Sequence, residues 1–222
     1  MSDGRFLDRR EAGRLLAPKV AALAPVQPIV YALPRGGVPV AAEIAAALNA
    51  PLDLVLVRKI GAPLQPELAV GAIVDGDEPV RFINDEIARQ TGADADYLDA
   101  ASRRELAEIE RRRARYLAGR ARPDPRGRTA IVVDDGIATG ATAVAALRAL
   151  KQRGAARLIV AAPVAPPDTM ARLRAEADEV VCLLQPRAFW DISEFYADFH
   201  QLDDAEVVRA LEAADARTGN AA

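Results

Sequence analysis

Residues 130–147 read AIVVDDGIATGATAVAAL and carry the clearest structural pattern in the sequence. Its apolar start predicts a buried strand, and this strand ends in two adjacent carboxylates, Asp134 and Asp135. A turn of glycines, alanines and threonines follows, and the alanine-rich sequence after it predicts a helix. A strand that passes through a glycine turn directly into a helix is typical of parallel α/β sheets, whose binding sites lie at the carboxyl ends of the strands.

The turn itself, residues 136–142, has the composition of an anion-binding loop. Small residues let consecutive backbone N–H groups point at one anion, the helix N-terminus adds partial positive charge, and Thr139 and Thr142 add hydroxyl donors. The turn lacks the Gly-Lys-Ser/Thr of a Walker A loop and the Gly-x-Gly-x-x-Gly of a dinucleotide-binding fold. Because carboxylates repel phosphate, two acids beside this turn predict a ligand with both a phosphate and vicinal hydroxyls, such as a ribose 5-phosphate. The simpler alternative is an ordinary strand–turn–helix connection with two solvated acids.

Strands and helices alternate along the rest of the chain, which predicts an α/β fold with a parallel sheet. The expected strands of this sheet are 28–33, 52–57, 129–133, 158–162 and 180–184, and the expected helices are 5–24, 38–48, 141–153 and 168–177. Residues 69–74 and 80–83 read as two paired strands around a turn. Residues 85–122 are helical in pattern and highly charged, so we expect a helical insertion within a single domain, 1–222.

The strand–turn–helix unit resembles the 5-phosphoribosyl 1-diphosphate (PRPP) motif of the type I phosphoribosyltransferases. The match covers an apolar run, two acids, a short spacer, Thr-Gly and a threonine; Asp134 stands where many members carry glutamate. The resemblance implies the parallel-sheet type I phosphoribosyltransferase fold with a small hood. It also implies that Asp134 and Asp135 hold the ribose hydroxyls. The residues implied to hold the 5-phosphate are Ala138, Thr139, Gly140, Ala141 and Thr142.

Two further segments fit the same family. The turn Leu33-Pro34-Arg35-Gly36-Gly37 follows a predicted strand, and the resemblance implies that Arg35, Gly36 and Gly37 bind the diphosphate and that the Pro34–Arg35 peptide is cis. Considered alone, this sequence is that of an ordinary turn.

The second segment is the basic pair Arg58-Lys59, which we expect at a strand end. There Arg58 would bind the diphosphate and Lys59 would neutralise it during catalysis, with residues 60–69 as a hood loop that includes Glu67. A solvated pair closing a strand is the alternative.

The resemblance implies displacement of diphosphate from carbon 1 of PRPP by a nitrogen nucleophile, with Mg²⁺ held mainly through ligand oxygens and water and with no direct protein ligands. The aromatic tail, residues 186–199, offers Phe189 and Trp190 as contacts for a nucleobase-like acceptor. The alternative is that the aromatic residues of this tail form a small core that seals the sheet. A PRPP-binding regulator with the same fold and no turnover is the alternative function.

Composition limits the remaining classes of function. The net charge of −3 gives no general attraction to nucleic acid or anionic lipid, and the arginines of 85–122 alternate with acids, which argues against RNA binding. Cys182 is the single cysteine, and no segment has the length and hydropathy of a membrane span or a secretory signal, so we expect a cytoplasmic protein. The single histidine, His200, reads as a surface or core residue. The sequence leaves homo-oligomer formation open.

Overall fold

The computed structural model describes residues 5–76 and 78–218. In chain order the elements are α1 (Arg9–Ala21), β1 (Ile29–Ala32), α2 (Gly37–Leu48), β2 (Leu52–Leu54), β3 (Val57–Gly61), β4 (Ala69–Val74), β5 (Val80–Ile83), α3 (Asp85–Thr91), α4 (Ala95–Tyr116), β6 (Thr129–Val133), α5 (Ala141–Gln152), β7 (Arg157–Val164), α6 (Pro167–Arg174), β8 (Glu179–Leu184) and α7 (Asp204–Thr218), with a short 3-10 helix at Ile192–Phe195 before α7. None of the described helices is both long and apolar enough to cross a membrane.

A five-stranded parallel sheet forms the centre of the molecule, in the order β2-β1-β6-β7-β8. Strand β6 lies in the middle, pairing Val133 with Ala32 of β1 on one side and with Ala161 of β7 on the other. Every residue of β1 and β6 is buried, because helices cover both faces and continuous Val/Ile runs fill them. The predicted parallel α/β sheet is therefore confirmed, and its middle strand is the first part of the stretch that led to the prediction.

A second sheet of three antiparallel strands, β3-β4-β5, lies beside the first. The hairpin predicted at 69–74 and 80–83 is confirmed as β4 and β5. The single strand predicted at 52–57 is wrong, since β2 ends at Leu54 and the chain enters β3 at Val57. Asp75 marks the change of sheet: its N–H donates to the Leu56 carbonyl (2.9 Å) and its Oδ1 accepts from the Leu56 N–H (3.0 Å). Arg58 and Lys59 consequently lie within a strand of the second sheet and not at the end of a strand of the first.

The helices divide between the two faces of the parallel sheet. One face of the parallel sheet is covered by α1, α2, α4 and α7, and the core on this side includes Leu16, Val40 and Leu211. The other face is covered by α5, α6 and the antiparallel sheet, and its core includes Leu147 and Met170. This arrangement leaves the carboxyl edge of β1 and β6 between the two groups of helices.

Two helical segments differ from their predicted form. The charged segment 85–122 contains two helices, α3 and α4, separated at Gly92 in a left-handed conformation (φ 70°). The sequence also contains a helix that we did not predict, α7, which buries Val207, Ala210, Leu211 and Ala214 with helical spacing.

Candidate functional site

The two predicted ligand-binding turns lie side by side at the carboxyl edge of the parallel sheet. The Leu33 N–H donates to the Val133 carbonyl (2.9 Å), so the pairing of β1 with β6 continues into the turns. A Cβ at Gly37 would lie 2.6 Å from the Val133 oxygen, and one at Gly36 would collide with the Asp135 carboxyl group. Both glycines are therefore required by close approach. The Pro34–Arg35 peptide is cis, which confirms that prediction.

The turn before α5 presents an open helix N-terminus. Gly140 is the N-cap of α5 in a left-handed conformation (φ 78°), and it provides no side-chain cap for the first turn of the helix. The carbonyls of the turn face away from this end: Arg172 Nη1 donates to the Thr139 oxygen (2.8 Å), and the Thr169 hydroxyl donates to the Ala138 oxygen. Ala138, Thr139, Ala141 and Thr142 are exposed. This geometry suits an anion bound by N–H groups at the helix N-terminus.

The two acids of the predicted site occupy different environments. Asp134 is partly exposed at the end of β6, and its Oδ1 accepts from the Asp135 N–H (2.9 Å). Burial raises the pKa of Asp134 well above its usual value, and the neighbouring Asp135 charge raises it further. Asp135 is buried, and its Oδ2 accepts from Arg9 Nε at 2.7 Å. Of the two acids, Asp134 is the less buried residue.

Arg9 is a site residue that the sequence analysis missed. Its guanidinium lies 3.8 Å from the centroid of the Phe199 ring, and its Nη1 donates to the His200 carbonyl (2.9 Å). The Tyr196 hydroxyl donates to the backbone oxygen of Asp135 (2.6 Å). Arg9 of α1 therefore holds the side chain of Asp135, and Tyr196 of the aromatic tail holds its backbone oxygen. No local pattern reveals this contact, because Arg9 and Asp135 are 126 positions apart.

The predicted basic residues are each bound to a carboxylate in this structure. Arg35 Nη1 lies 3.7 Å from Asp204 Oδ1 at the start of α7. Arg58 Nε donates to Glu105 Oε2 of α4 (2.9 Å). Lys59, in β3, donates from Nζ to Glu67 Oε2 (2.9 Å) and to the Glu67 carbonyl (3.1 Å), so it contacts the hood loop. Leu64 in that loop is 91% exposed.

The aromatic tail divides into a buried part and an exposed part. Tyr196 is buried against Phe6 and Phe199, at centroid distances of 5.3 and 5.0 Å, so the core alternative holds for this part. Phe189 stacks on Phe195 at 5.7 Å and is half-buried. Trp190 is 85% exposed. Trp190 is therefore open to a ligand, whereas Phe189 already stacks one face of its ring on Phe195.

His200 is exposed, and its ring lies 2.9 Å from Glu206 and 3.3 Å from Asp198. These two carboxylates raise the pKa of His200. The ring faces the start of α7 and not the predicted site, so the interpretation as a surface residue is confirmed.

A family model for the phosphoribosyl transferase domain matches residues 9–200. This range contains both turns, the two acids, Arg9 and the aromatic tail. The chain belongs to the phosphoribosyl transferase family.

Relatives of this phosphoribosyl transferase domain agree with the match. The Mycobacterium tuberculosis protein named "Putative phosphoribosyl transferase Rv0571c" is 49% identical over 209 residues, which are 94% of this chain and 47% of that protein. The chain thus spans about half the length of the curated relative that it matches. The crystal structure of TT1426 from Thermus thermophilus is 44% identical, with a TM-score of 0.82, and the match covers 93% of this chain and 97% of that one. The type I phosphoribosyltransferase fold predicted from the sequence is confirmed.

The resemblance implies a Mg²⁺ ion, and the side chains that could bind it are the His, Cys, Asp and Glu residues near the predicted site. Among residues 5–76 and 78–218, no group of three or more His, Cys, Asp or Glu side chains could together hold a metal ion. Asp134 is the partly exposed carboxylate next to the anion-binding turn. Mg²⁺ held mainly through ligand oxygens and water stays a prediction.

Proposed function

We propose that this phosphoribosyl transferase domain transfers the phosphoribosyl group of PRPP to a nitrogenous, nucleobase-like acceptor and releases diphosphate. The observation that carries the proposal is the juxtaposition, on one edge of the sheet, of the open N-terminus of α5, the partly exposed Asp134 and the glycine turn at residues 33–37. A ligand with a phosphate, vicinal hydroxyls and a diphosphate has one group for each of these three features.

In this proposal the two turns bind opposite ends of PRPP. The 5-phosphate is bound by backbone N–H groups and hydroxyls of residues 138–142, at the helix N-terminus. Asp134 accepts hydrogen bonds from ribose hydroxyls, and Asp135, held by Arg9, keeps the end of β6 in place. Residues 35–37 and Arg58 bind the diphosphate, and Lys59 neutralises charge as the diphosphate leaves. Bond breaking at carbon 1 develops positive charge on the sugar and negative charge on the leaving group, so positioning and electrostatics supply the catalysis.

Mg²⁺, where bound to the diphosphate, would add neutralising charge on the leaving group. The protein's part is to hold that diphosphate in a fixed orientation, through the close approach of Gly36 and Gly37 to the end of β6. Cytoplasmic location and homo-oligomer formation stay predictions.

The acceptor would stack on the aromatic tail, on the exposed Trp190 ring or on the part of the Phe189 ring that Phe195 leaves uncovered. Stacking a planar base on an aromatic face is sequence-tolerant chemistry worth about 1–3 kcal/mol. It accounts for a nucleobase-like acceptor without selecting one base.

The proposal is tested by assaying diphosphate release from PRPP and Mg²⁺ with a panel of nucleobases, for the wild type, Asp134→Asn and Asp124→Asn. Asp124 is a solvent-exposed acid of the segment before β6, which makes its variant a matched control. We expect turnover with at least one base in the wild type and the control, and a loss of about ten- to a hundredfold in Asp134→Asn, the range for one hydrogen bond to a charged group. PRPP binding without turnover across the panel would support the regulator instead, and absence of PRPP binding would remove both functions.

A further inference from the structure

The charged insertion does not project from the molecule as an appendage; its long helix α4 lies directly against the candidate site. Three contacts fix it there. The Tyr97 hydroxyl donates to the Gly61 carbonyl (2.8 Å), Glu105 accepts from Arg58 (2.9 Å), and the Tyr116 hydroxyl donates to Asp204. Between these contacts, Ile109 is buried in the core. One face of α4 therefore forms a wall beside the predicted diphosphate turn.

This wall carries more positive than negative charge. Three carboxylates on it or against it are each bound by two arginines. Glu105 binds Arg58 and Arg104, Glu108 binds Arg111 and Arg112, and Asp204 binds Arg35 and Arg115, with nitrogen–oxygen distances of 2.7–3.7 Å. Each pair of arginines has two positive charges and shares one carboxylate, so the carboxylate neutralises only one of the two charges. A surplus of guanidinium groups at this place suits a ligand that brings several negative charges.

Arg112 is the α4 arginine that faces the predicted ligand-binding turns. It lines a cavity of about 20 Å³ together with Pro34 of the diphosphate turn, Arg58 of β3 and Thr142 of the phosphate turn. Arg112 therefore shares one small cavity with a residue of each predicted ligand-binding turn and with Arg58. Arg111 is the matching residue on the other side: it binds the same Glu108 carboxylate but is 56% exposed, against 28% for Arg112, and does not line this cavity.

The hydrogen bonds of Arg112 leave donors for a ligand. Its Nε donates to Glu108 Oε1 at 2.7 Å, and its two terminal nitrogens have no hydrogen-bond partner within the described part of the chain. Glu108 would remain paired if Arg112 turned towards a ligand, because Arg111 binds both Glu108 oxygens, at 2.7 and 2.9 Å. The rearrangement therefore leaves no carboxylate without a partner.

We propose that Arg112 of the helical insertion is a binding residue for the diphosphate of the ligand, acting beside Arg58 and the turn that begins at Pro34. The inference rests on the proposed function, since it assigns a residue to the PRPP site. It gives the insertion a role: α4 supplies the diphosphate side of the site with a cation in addition to Arg35 and Arg58.

The test compares Arg112→Gln, Arg111→Gln and the wild type in calorimetric titrations with PRPP and, separately, with ribose 5-phosphate, which lacks the diphosphate. We expect Arg112→Gln to weaken PRPP binding about tenfold or more, the range for a hydrogen bond to a charged group. We expect ribose 5-phosphate to bind equally to all three proteins, and Arg111→Gln to bind PRPP as the wild type does. Arg112→Lys, which keeps the charge, should lose less than Arg112→Gln, and thermal unfolding of each variant checks that it is folded.

Equal PRPP affinity in Arg112→Gln and Arg111→Gln would overturn the inference while leaving the proposed function intact. An equal loss for PRPP and ribose 5-phosphate would also overturn it, because the contact would then not be to the diphosphate. A wild-type protein that binds ribose 5-phosphate but not PRPP, or neither of them, would overturn the proposed function itself, and the inference with it.

Discussion

Arg9 shows how one buried ion pair can support a ligand site from outside it. Its side chain is 8% exposed and that of Asp135 is 10% exposed, and the two meet at 2.7 Å. A carboxylate buried to this extent needs a charged partner. Arg9 provides a positive charge and a directed hydrogen bond, and its guanidinium packs on the Phe199 ring. Arg9 therefore fixes the residue that follows the ligand-facing Asp134.

Replacement of Arg9 by methionine should destabilise the protein by about 3–5 kcal/mol, the usual cost of leaving one member of a buried ion pair alone. Urea unfolding followed by circular dichroism measures the change. Arg10→Met is the control, because Arg10 is the next residue of α1 but is 57% exposed and lies 3.5 Å from Glu43; it should change stability by less than about 0.5 kcal/mol. Equal effects of the two variants would contradict the role given to Arg9.

Asp134 should make the ligand-free protein less stable as pH rises. Its folded pKa is raised, first by burial and then by Asp135, so the folded state holds this proton more tightly than the unfolded chain does. The stability that Asp134 contributes is therefore present below its usual pKa and is lost as pH rises through the raised pKa. Asp134→Asn removes this loss, so its melting temperature relative to the wild type should be higher at about pH 7 than at about pH 4.

Thermal unfolding across this range, with the exposed carboxyl variant Glu212→Gln as control, measures the effect. A constant difference between Asp134→Asn and the wild type across pH would contradict it. A carboxylate that lowers stability at neutral pH is expected where a residue serves binding at some cost to folding, which is the role proposed for Asp134.

Among the helices and strands, the sequence predicted correctly those whose residues carry a local pattern of their own. The unit from β6 to α5 could be predicted because strand, acids, turn and helix are contiguous, and each has its own local signal. The single strand predicted at 52–57 was wrong because residues 54–57 are all apolar and show no break between β2 and β3. The division depends on Asp75, about twenty residues later. Helix α7 had a readable helical pattern in Val207, Ala210, Leu211 and Ala214. Arg9 and Arg112 reach the site through tertiary packing, which has no local signal.

The aromatic tail gives a prediction that separates folding from acceptor binding. Trp190 is 85% exposed, so Trp190→Ala should leave the melting temperature and the PRPP affinity unchanged while raising the KM for the acceptor several-fold, through lost stacking. Tyr196→Phe is the contrasting variant, because it removes a buried hydrogen bond to the Asp135 backbone (2.6 Å) and should cost about 1–2 kcal/mol of stability. An acceptor KM that does not change in Trp190→Ala would remove Trp190 from the acceptor site.

At the scale of the whole molecule, the two sheets are joined by buried charges as well as by apolar packing. Arg122, in the segment between α4 and β6, donates from Nη2 to Asp75 Oδ2 (2.6 Å) and lies 3.9 Å from Asp53 of β2. Asp53 is 3% exposed, and burial raises its pKa. Arg122 thus connects the edge strand of the parallel sheet with the end of β4, and β4 pairs with β3, the strand that contains Arg58 and Lys59.

Arg122→Leu should therefore loosen the antiparallel sheet from the parallel one. Asp75 would be left buried without a cation, which costs about 3–5 kcal/mol, and the double variant Arg122→Leu/Asp75→Asn should recover part of that loss. Arg126→Leu is the control, because the Arg126 side chain is 79% exposed and lies 3.8 Å from Asp124. Hydrogen exchange gives the spatial test: the Leu56 amide, which donates to Asp75, and the amides of β4 should lose protection before those of β6 and β7. Uniform loss of protection across both sheets would show that Arg122 contributes to global stability and does not join the two sheets.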